Sequence, residues 1–379
     1  MSNITTVLAV RNNLEDTKEF YKNFRELYPN APLVISSGGS IDGTAEWLRS
    51  ILDSNLDFNI EDSSYTNFSA NYNKAISLVK TEKLVLVHND MILGDHFFEE
   101  LEKYSQPYRI LSYTTIEPPI FPGHNRPGKI IRELGRDFSD FNSEEFKNLT
   151  EEIIYYTEPI LDEGASFFMS GYKSSFDYIG GFDNKTFDPY FCEDDDILIR
   201  FKLAGHELKT LNTALCYHFV SKTSRFSKEY RTKTHQIEQI SNKNFIRKWG
   251  SRQPKVKYDI GFVVKGNYEF VEALEPWCSN IYINDPHNLI IDKLILKEQP
   301  NTSFNLKDRI INLSFNIIGS KNKILVYIDQ NIFTQEDFNI IQQLPDIIKD
   351  NGDIGKFSIG NMEIEIKGMN EYQNNLIKI

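Results

Sequence analysis

The sequence contains little cysteine and no long apolar run. Its three cysteines, Cys192, Cys216 and Cys278, are far apart and odd in number, so they provide neither a disulfide framework nor a paired metal-binding motif. No stretch approaches the 18 apolar residues of a transmembrane candidate, and residues 1–11 lack a signal-peptide pattern. We therefore expect reduced thiols, a cytoplasmic location and no transmembrane segment.

Positive charge is also scarce. The 379 residues include 42 Lys plus Arg against 54 Asp plus Glu, which gives a formal net charge of -12 at pH 7. Proteins that bind nucleic acids usually present a basic face, so the composition argues against a nucleic-acid partner. A nucleotide bound through a divalent cation remains compatible with this charge. With 40% hydrophobic residues, the chain is typical of a packed globular protein.

Four consecutive acids, Glu193, Asp194, Asp195 and Asp196, come directly before an apolar helical run at residues 197–203. Acids are favoured in the first turn of a helix by its free amides and macrodipole, and capping accounts for one or two of them. Four adjacent carboxylates repel one another. The cluster therefore also indicates a metal site, a general base, or both.

Strand and helix signals alternate in the first half of the chain. Apolar segments at residues 4–10, 33–36 and 83–87 predict buried strands, and helical spacing lies between them. This alternation predicts a parallel α/β sheet with right-handed crossovers. Residues 107–138 contain several prolines and glycines, and we interpret them as a long loop.

A charged, proline-containing segment at residues 251–257 predicts a domain boundary. We assign residues 1–252 to the first domain and residues 253–379 to a small α/β domain of unknown role. The second domain carries no chemical motif and is a candidate for homodimer formation.

The motifs around the acidic cluster resemble those of the family 2 glycosyltransferases, enzymes of the GT-A fold. Gly180-Gly181-Phe182-Asp183 precedes the acids, Ala204-Gly205 ends the helix, and a strand at residues 214–217 leads to His218. The resemblance covers about residues 4–220. It implies a Rossmann-like, mostly parallel sheet flanked by helices. It also implies an inverting, hexosyl-type transfer from a nucleotide sugar to a hydroxyl of a glycan or glycoconjugate.

The same resemblance implies roles for the acids. Asp194 is the expected general base, with Glu193 as the alternative, and Asp196 and Gly181 are expected on the acceptor side. Within the predicted loop at residues 107–138, Glu117 and Arg126 are among the residues that could line the acceptor site. The alternative is a surface loop without function.

His88-Asn89-Asp90 ends a predicted strand at the edge where α/β sheets bind ligands. The tripeptide resembles the DxD motif, with His88 in place of the first Asp. The metal ligands implied are Asp90 and His218, with His88 as a third. Hard cations take oxygen ligands, and imidazole suits manganese better than magnesium. The expected cofactor is therefore Mn²⁺, or Mg²⁺.

The donor site is expected along the first strands, and the donor is expected to be UDP- or GDP-linked. Ser37 and Gly38 stand where the family has two acids, one of which helps hold the base, so the base stays open. A basic segment after His218 could neutralise phosphate, with a solvated charge run as the alternative. The candidate donor-binding residues are Ala9, Arg11, Ser37, Asp42, Asn73, Asn89, Lys222 and Arg225.

Two other functions remain open. A non-catalytic protein that binds sugar nucleotides or glycans is favoured by the missing acids at Ser37, Gly38 and His88. A nucleotidyltransferase would need a lysine-bearing glycine loop near the first strand, and Arg11-Asn12-Asn13 fits this poorly.

Overall fold

The computed structural model describes residues 3–62, 67–121, 123, 126–220, 229–313, 321–369, 371 and 374–379. The chain forms two compact units. The first comprises Met1–Asn184, Asp188–Ile237 and Ile377–Ile379, and the second comprises Lys185–Phe187 and Glu238–Leu376. Within the described residues, no helix has the length and apolar character needed to cross a membrane.

The first unit contains a mixed sheet flanked by helices. Its strands are β1 (Ile4–Val10), β2 (Leu33–Gly38), β3 (Leu56–Glu61), β4 (Lys83–Val87), β5 (Met91–Leu93), β6 (Arg109–Glu117), β7 (Lys129–Ile131), β8 (Leu161–Glu163), β9 (Met169–Tyr172) and β10 (Glu207–His218). Its helices are α1 (Leu14–Leu27), α2 (Thr44–Ser50), α3 (Phe68–Ser77), α4 (Phe97–Tyr104), α5 (Ser143–Tyr156), α6 (Lys173–Ile179) and α7 (Glu193–Leu203).

The strand order of this sheet is β3-β2-β1-β4-β9-β6-β10-β5, with β7 beside β6 and β8 beside β10. The strands β3, β2, β1 and β4 are mutually parallel. The strand β9 is antiparallel to both β4 and β6, and therefore β6 and its parallel neighbour β10 run in the same direction as β4. The prediction of a mostly parallel α/β sheet flanked by helices is confirmed.

The core of the first unit lies against β1, β2 and β4. Every residue of β4 is buried, as a strand covered on both faces by helices requires. On α1, Phe20 and Phe24 are one turn apart and are buried in the same core as Val7 and Leu8 of β1.

The strand β6 corrects the interpretation of residues 107–138 as a loop. Arg109–Glu117 crosses the centre of the sheet and is buried along almost its whole length. Its hydroxyls are satisfied inside the protein, since Ser112 donates to Ser166 O at 3.1 Å and Thr114 donates to Leu211 O at 2.9 Å. The prolines of this segment lie outside the strand: Pro107 precedes it, and the others begin at Pro118, after it has ended.

The helix α8 (Thr234–Trp249) contains the point in the chain where the first unit ends and the second begins. The strands of the second unit are β11 (Ile260–Lys265), β12 (Asn280–Ile283), β13 (Ile310–Asn312), β14 (Ile324–Asp329), β15 (Gly355–Ile359) and β16 (Met362–Ile366). The helices that follow α8 are α9 (Tyr268–Leu274), α10 (Leu289–Glu298), α11 (Leu306–Arg309), α12 (Gln335–Asn351) and α13 (Asn374–Ile377).

The strands of the second unit form a separate sheet in the order β13-β12-β11-β14-β16-β15. Phe262 and Val326 of its central strands are buried in one core with Ile341 and Leu344 of α12. The predicted smaller α/β domain at the C-terminus is confirmed.

Asp337, in the first turn of α12, is a buried carboxylate with several donors. It accepts hydrogen bonds from Thr334 N at 2.7 Å, Asn361 N at 2.8 Å and Asn361 Nδ2 at 3.0 Å. Burial raises the pKa of Asp337, but the hydrogen bonds from Asn361 and Thr334 outweigh it and lower the pKa to about 2. The ionised side chain therefore ties the start of α12 to the turn before β16.

We expect Asp337→Asn to destabilise the second unit by about 1–3 kcal/mol, because two backbone amides lose a charged acceptor. The folded-state pKa lies below the ordinary value of 3.8, so this contribution is complete above about pH 4 and is lost as the pH falls toward 2. Urea denaturation from pH 7 to pH 3, with hydrogen exchange of the α12 amides, measures it. Glu336→Gln, on the exposed side of the same turn, is the control; equal losses in both variants would contradict this role.

Candidate active site

Three strand ends bring the predicted metal ligands together. His88 directly follows β4, Glu117 ends β6 and His218 ends β10. Because β4, β6 and β10 run in the same direction, their carboxyl ends meet at one edge of the sheet, where ligands bind in open α/β folds. Asp90 lies in the turn between β4 and β5, and β5 pairs with β10 so that Met91 faces His218.

His88, Asp90 and His218 form a compact cluster. The distance from His218 Nε2 to Asp90 Oδ1 is 3.4 Å, and that from His88 Nδ1 to Asp90 Oδ1 is 4.0 Å. One ligand atom from each residue lies within 4.8 Å of the other two. Asp90 is 3% exposed and His218 is 6% exposed, whereas the side chain of His88 is 28% exposed, so the cluster is open to solvent at His88.

The cluster fits a divalent cation. The Nε2 atoms of both His88 and His218 are buried, and neither has a hydrogen-bond partner in the described part of the chain. A buried polar atom without a partner costs free energy unless a ligand satisfies it. One carboxylate with two imidazoles suits Mn²⁺ better than Mg²⁺, which prefers oxygen ligands alone.

The two histidines differ in protonation. For His88, burial lowers the pKa and the negative charge of Asp90 raises it. Burial is the larger effect and brings the pKa to about 4, so the imidazole is neutral at pH 7. For His218, burial lowers the pKa, but the carboxylates of Asp90 and Glu117 outweigh it and raise the pKa to about 9. A cation that binds His218 therefore displaces a proton.

Glu117 and Arg126 belong to this site, although the sequence suggested only a loop beside the acceptor. Glu117 Oε1 lies 3.1 Å from His218 Nδ1 and 2.9 Å from Thr115 Oγ1. Arg126 donates to both Glu117 and Thr115. Burial raises the pKa of Glu117, but the hydrogen bond and charge of His218, together with Arg126, outweigh it and lower the pKa to about 2.

Aromatic rings form the inner wall of the cluster. The ring of Phe168 lies 5.3 Å from that of His88 and 5.0 Å from that of His218, and the guanidinium of Arg126 stacks 4.7 Å from its centroid. Phe167 lies 4.8 Å from His88 on another side. These contacts pack against both rings and restrict their planes, and they shield His218 from water.

The acidic cluster begins α7, as predicted. Phe191 and Cys192 precede it with φ of 77° and 66°, an uncommon left-handed pair that turns the chain sharply into the helix. Such a conformation in non-glycine residues persists where the surroundings fix it, and it is frequent at functional sites. Gly205, with φ of 88°, ends the helix, as the Ala204-Gly205 motif predicted.

The first three acids have raised pKa values. Glu193 is 7% exposed, and burial followed by the charge of Asp194 raises its pKa well above the ordinary value. Burial also raises the pKa of Asp194, against backbone hydrogen bonds and the charge of Arg126. Although Asp195 is solvent-exposed, partial desolvation by the surrounding protein and the charges of Asp194 and Asp196 raise its pKa to about 7. Carboxylates with raised pKa values are suited to proton transfer near neutral pH.

Two charge interactions link the acids of α7 to residues at the histidine cluster. Arg126 contacts Glu117, and its positive charge opposes the effect of burial on the pKa of Asp194. Burial raises the pKa of the Tyr72 hydroxyl, and the negative charges of Asp90 and Glu193 raise it further. The loop before α7 lies near the histidine cluster, since Phe68 N donates to Pro189 O at 2.9 Å and the ring of Phe68 lies 6.2 Å from that of His88.

Asp196 has a different environment. Its side chain and that of Arg200, one turn later, are both 0% exposed, with 2.8 Å between Asp196 Oδ2 and Arg200 Nε. Arg200 also donates to Ile179 O at 3.1 Å. This pair ties α7 to the end of α6, and the expected contact of Asp196 with an acceptor stays a prediction.

We expect Asp196→Asn to destabilise the first unit by about 3–5 kcal/mol, because it leaves the Arg200 charge buried without a partner. The double variant Asp196→Asn/Arg200→Met removes both charges and should recover part of this loss. Urea denaturation of the single and double variants measures the coupling between the two residues. If Asp196→Asn retained wild-type stability and lost activity, Asp196 would act on the acceptor instead.

The predicted donor-binding residues line the carboxyl ends of β1 and β2. Ala9 pairs with Ser36 across these strands, and Arg11 Nη1 donates to Gly38 O at 3.0 Å. Arg11 also forms an ion pair of 2.8 Å with Glu229, which the sequence did not single out. Ser37 Oγ contacts Ser40 Oγ at 2.9 Å. These residues share one end of the sheet, and their contact with a donor stays a prediction.

Several other candidates hold the backbone around the site. Asp42 accepts a hydrogen bond from Leu14 N at 2.8 Å, and Asn89 donates to Thr17 Oγ1 at 3.0 Å. Asn73 donates to Phe182 O at 2.8 Å and accepts from Phe182 N. Gly181, with φ of 75°, lies so close to Asn73 that a β-carbon there would overlap its amide. Lys222 and Arg225 lie outside the described residues.

No family model matches the sequence, and no curated protein matches it. The solved structures that resemble the chain in part include these three. The first is the mannosyltransferase PcManGT from Pyrobaculum calidifontis in complex with GDP-Man and Mn²⁺, with a TM-score of 0.42 and 16% identity over 64% of this chain and 62% of that one.

The other two are structures of residues 1–349 of TarS from S. aureus. One has a TM-score of 0.41 and 9% identity, and covers 72% of this chain and 70% of that one. The other, in complex with UDP-GlcNAc, has a TM-score of 0.39 and 12% identity, and covers 64% of this chain and 66% of that one. The matches to PcManGT and to this complex span less than two thirds of those chains. At this level of similarity, we take the function from the geometry of the site.

Proposed function

We propose that this protein is an inverting glycosyltransferase of the GT-A type that moves a sugar from a nucleotide-sugar donor to a hydroxyl of a glycan or glycoconjugate. The observation that carries the proposal is the cluster of His88, Asp90 and His218 at the sheet edge, beside the acidic first turn of α7. Such a pairing would put a cation site and a proton acceptor near one crevice, as transfer from a diphosphate requires.

In the proposed reaction, the acceptor oxygen attacks the anomeric carbon, the bond from that carbon to the diphosphate oxygen breaks, and the nucleoside diphosphate leaves. The acceptor proton passes to the carboxylate of Asp194, whose raised pKa suits this role. A cation held by Asp90, His218 and His88 would supply positive charge for the leaving diphosphate. Glu193 is the alternative base.

The donor residues follow from the same placement. Ala9, Arg11 and Ser37 lie at the carboxyl ends of β1 and β2, next to the β4 end that carries the metal ligands. We expect the nucleoside there and the diphosphate toward Asp90. Neither Ser37 nor Gly38 offers a carboxylate to the base.

The proposal is tested with purified protein, MnCl₂ and a panel of UDP-, GDP- and dTDP-sugars that includes GDP-mannose and UDP-GlcNAc. Thermal shift identifies the donor, because a bound ligand raises the apparent stability. Release of the nucleoside diphosphate then measures slow donor hydrolysis or transfer. A donor that binds without release in the presence of candidate acceptors would instead indicate a non-catalytic binding protein, and a panel in which nothing binds would contradict both functions.

A further inference from the structure

Glu117 is the one carboxylate of the described site that contacts a histidine nitrogen on the side away from Asp90. Its Oε1 lies 3.1 Å from Nδ1 of His218, while Nε2 of the same ring lies 3.4 Å from Asp90 Oδ1. The two nitrogens of His218 therefore face two different carboxylates. This arrangement determines what each nitrogen can do.

We propose that Glu117 is a positioning residue that holds the Nδ1 proton of His218 and so presents Nε2 to the cation. This inference rests on the proposed function, since it assumes the metal site of that function. A histidine that binds a metal usually donates its other ring N–H to a carboxylate, carbonyl or water, which fixes the tautomer and the orientation of the ring.

The surroundings of Glu117 suit this role better than that of a metal ligand. Its Oε1 already accepts from Thr115 Oγ1 at 2.9 Å and from Arg126, and its Oε2 lies 3.6 Å from Lys129 Nζ. Glu117 does not belong to the group of ligand atoms that includes His88, Asp90 and His218. Two cations and a hydroxyl hold the carboxylate in place, ionised and turned toward Nδ1.

The position of Glu117 in the fold supports the same role. It is the last residue of β6, and Ile116 pairs with Tyr217, the residue before His218. The side chains of Glu117 and His218 therefore meet because two parallel neighbouring strands end in register. A rigid strand end fixes a ligand more precisely than a loop does.

The first experiment measures Mn²⁺ affinity by calorimetry, without donor, for wild type, Glu117→Gln and Glu117→Ala. Loss of an outer-shell partner typically weakens metal binding by about 10–100-fold. We expect the smaller loss in Glu117→Gln, whose amide oxygen can still accept from Nδ1–H, and the larger loss in Glu117→Ala. Two folded variants with wild-type affinity would overturn the proposal.

Matched variants separate positioning from charge and from general damage. Arg126→Gln removes one of the groups that hold Glu117 but leaves the carboxylate itself, so we expect Mn²⁺ affinity to fall by less than in Glu117→Ala. Glu100→Gln removes a carboxylate elsewhere in the same unit, one that accepts from Thr213, and should bind Mn²⁺ as wild type does. If Glu117→Gln fails to fold, Glu117→Gln/Arg126→Gln removes both charges together and is measured instead.

A spectroscopic readout addresses the contact of Nδ1 with Glu117 directly. In the Zn²⁺-loaded protein labelled with ¹⁵N-histidine, we expect NMR to show a protected Nδ1–H signal for His218 of wild type, because that proton is donated to Glu117. In Glu117→Ala, we expect the same signal to move upfield and to exchange faster with solvent. An unchanged Nδ1–H signal in Glu117→Ala would overturn the proposal, even if affinity fell through the lost charge.

The outcomes also separate this inference from the proposed function. Wild-type protein that binds no Mn²⁺ or Zn²⁺ would overturn both. Wild type that binds metal and transfers sugar, with Glu117 variants that bind equally well, would overturn this inference alone. Metal binding that depends on Glu117, in a protein that releases no nucleoside diphosphate from any donor, would support the inference and contradict the proposed function.

Discussion

Asp194→Asn is expected to reduce sugar transfer by about 10²–10⁴-fold, the usual contribution of a general base, while donor and Mn²⁺ affinities stay close to those of wild type. The amide keeps the size of the side chain but cannot take the acceptor proton. Product formation under single-turnover conditions, with donor and metal binding measured separately by calorimetry, distinguishes a lost base from a lost ligand.

Glu193→Gln is the matched control for this prediction. Burial favours the protonated, neutral form of Glu193, so a neutral amide of the same shape should change the rate much less. If Glu193→Gln instead abolished transfer and Asp194→Asn left it intact, the two roles would be exchanged.

The pH profile gives a second test of the same base. A base must be ionised to act, so kcat/KM should fall as the pH drops through its pKa. Because burial raises the pKa of Asp194 above the ordinary value of 3.8, the acid limb should lie at a higher pH than that of a free carboxylate. Asp195→Asn removes a neighbouring negative charge and should move this limb to lower pH.

The second large effect concerns the metal ligands. Replacing Asp90 by Asn or His218 by Ala should weaken Mn²⁺ binding by more than about 100-fold, beyond the range for outer-shell partners, and sugar transfer should fall with it. Excess chelator should have the same effect on wild type, with activity restored by added MnCl₂.

His206→Ala is the control for the loss of a histidine. His206 is in the same unit and contacts Ser175 Oγ at 2.9 Å, away from the cluster. It should retain metal binding and transfer. Normal Mn²⁺ affinity in both Asp90→Asn and His218→Ala would contradict the metal site.

The sequence predicted the elements with strong local signals. The apolar run of β1 and that of β4 were located to the residue. The capping box of Thr334 and Asp337 at the start of α12 is a signal of the same local kind. Each of these signals lies within one short segment, where burial and capping act locally.

The cluster of His88, Asp90 and His218 was predicted as a metal site through the resemblance, whereas its neighbour Glu117 was only one of several residues in a supposed loop. The β6 strand contains Ser112, Thr114 and Thr115 among its apolar residues, so it lacks the continuous apolar run that revealed β4. The role of Glu117 depends on β6 lying beside β10, and β9 lying antiparallel between β4 and β6. Such pairings join segments that are far apart in the sequence, so no local sequence pattern predicts them.

The distance along the chain between the strand ends has a consequence for folding. Asp90 and His218 are separated by most of the first unit, yet they converge on one point. An ion bound there would cross-link Asp90 to His218 and so close the segment of chain between them. It would bind only after the strands that carry its ligands had assembled. Added Mn²⁺ should therefore raise the melting temperature of the first unit and leave that of the second unit unchanged.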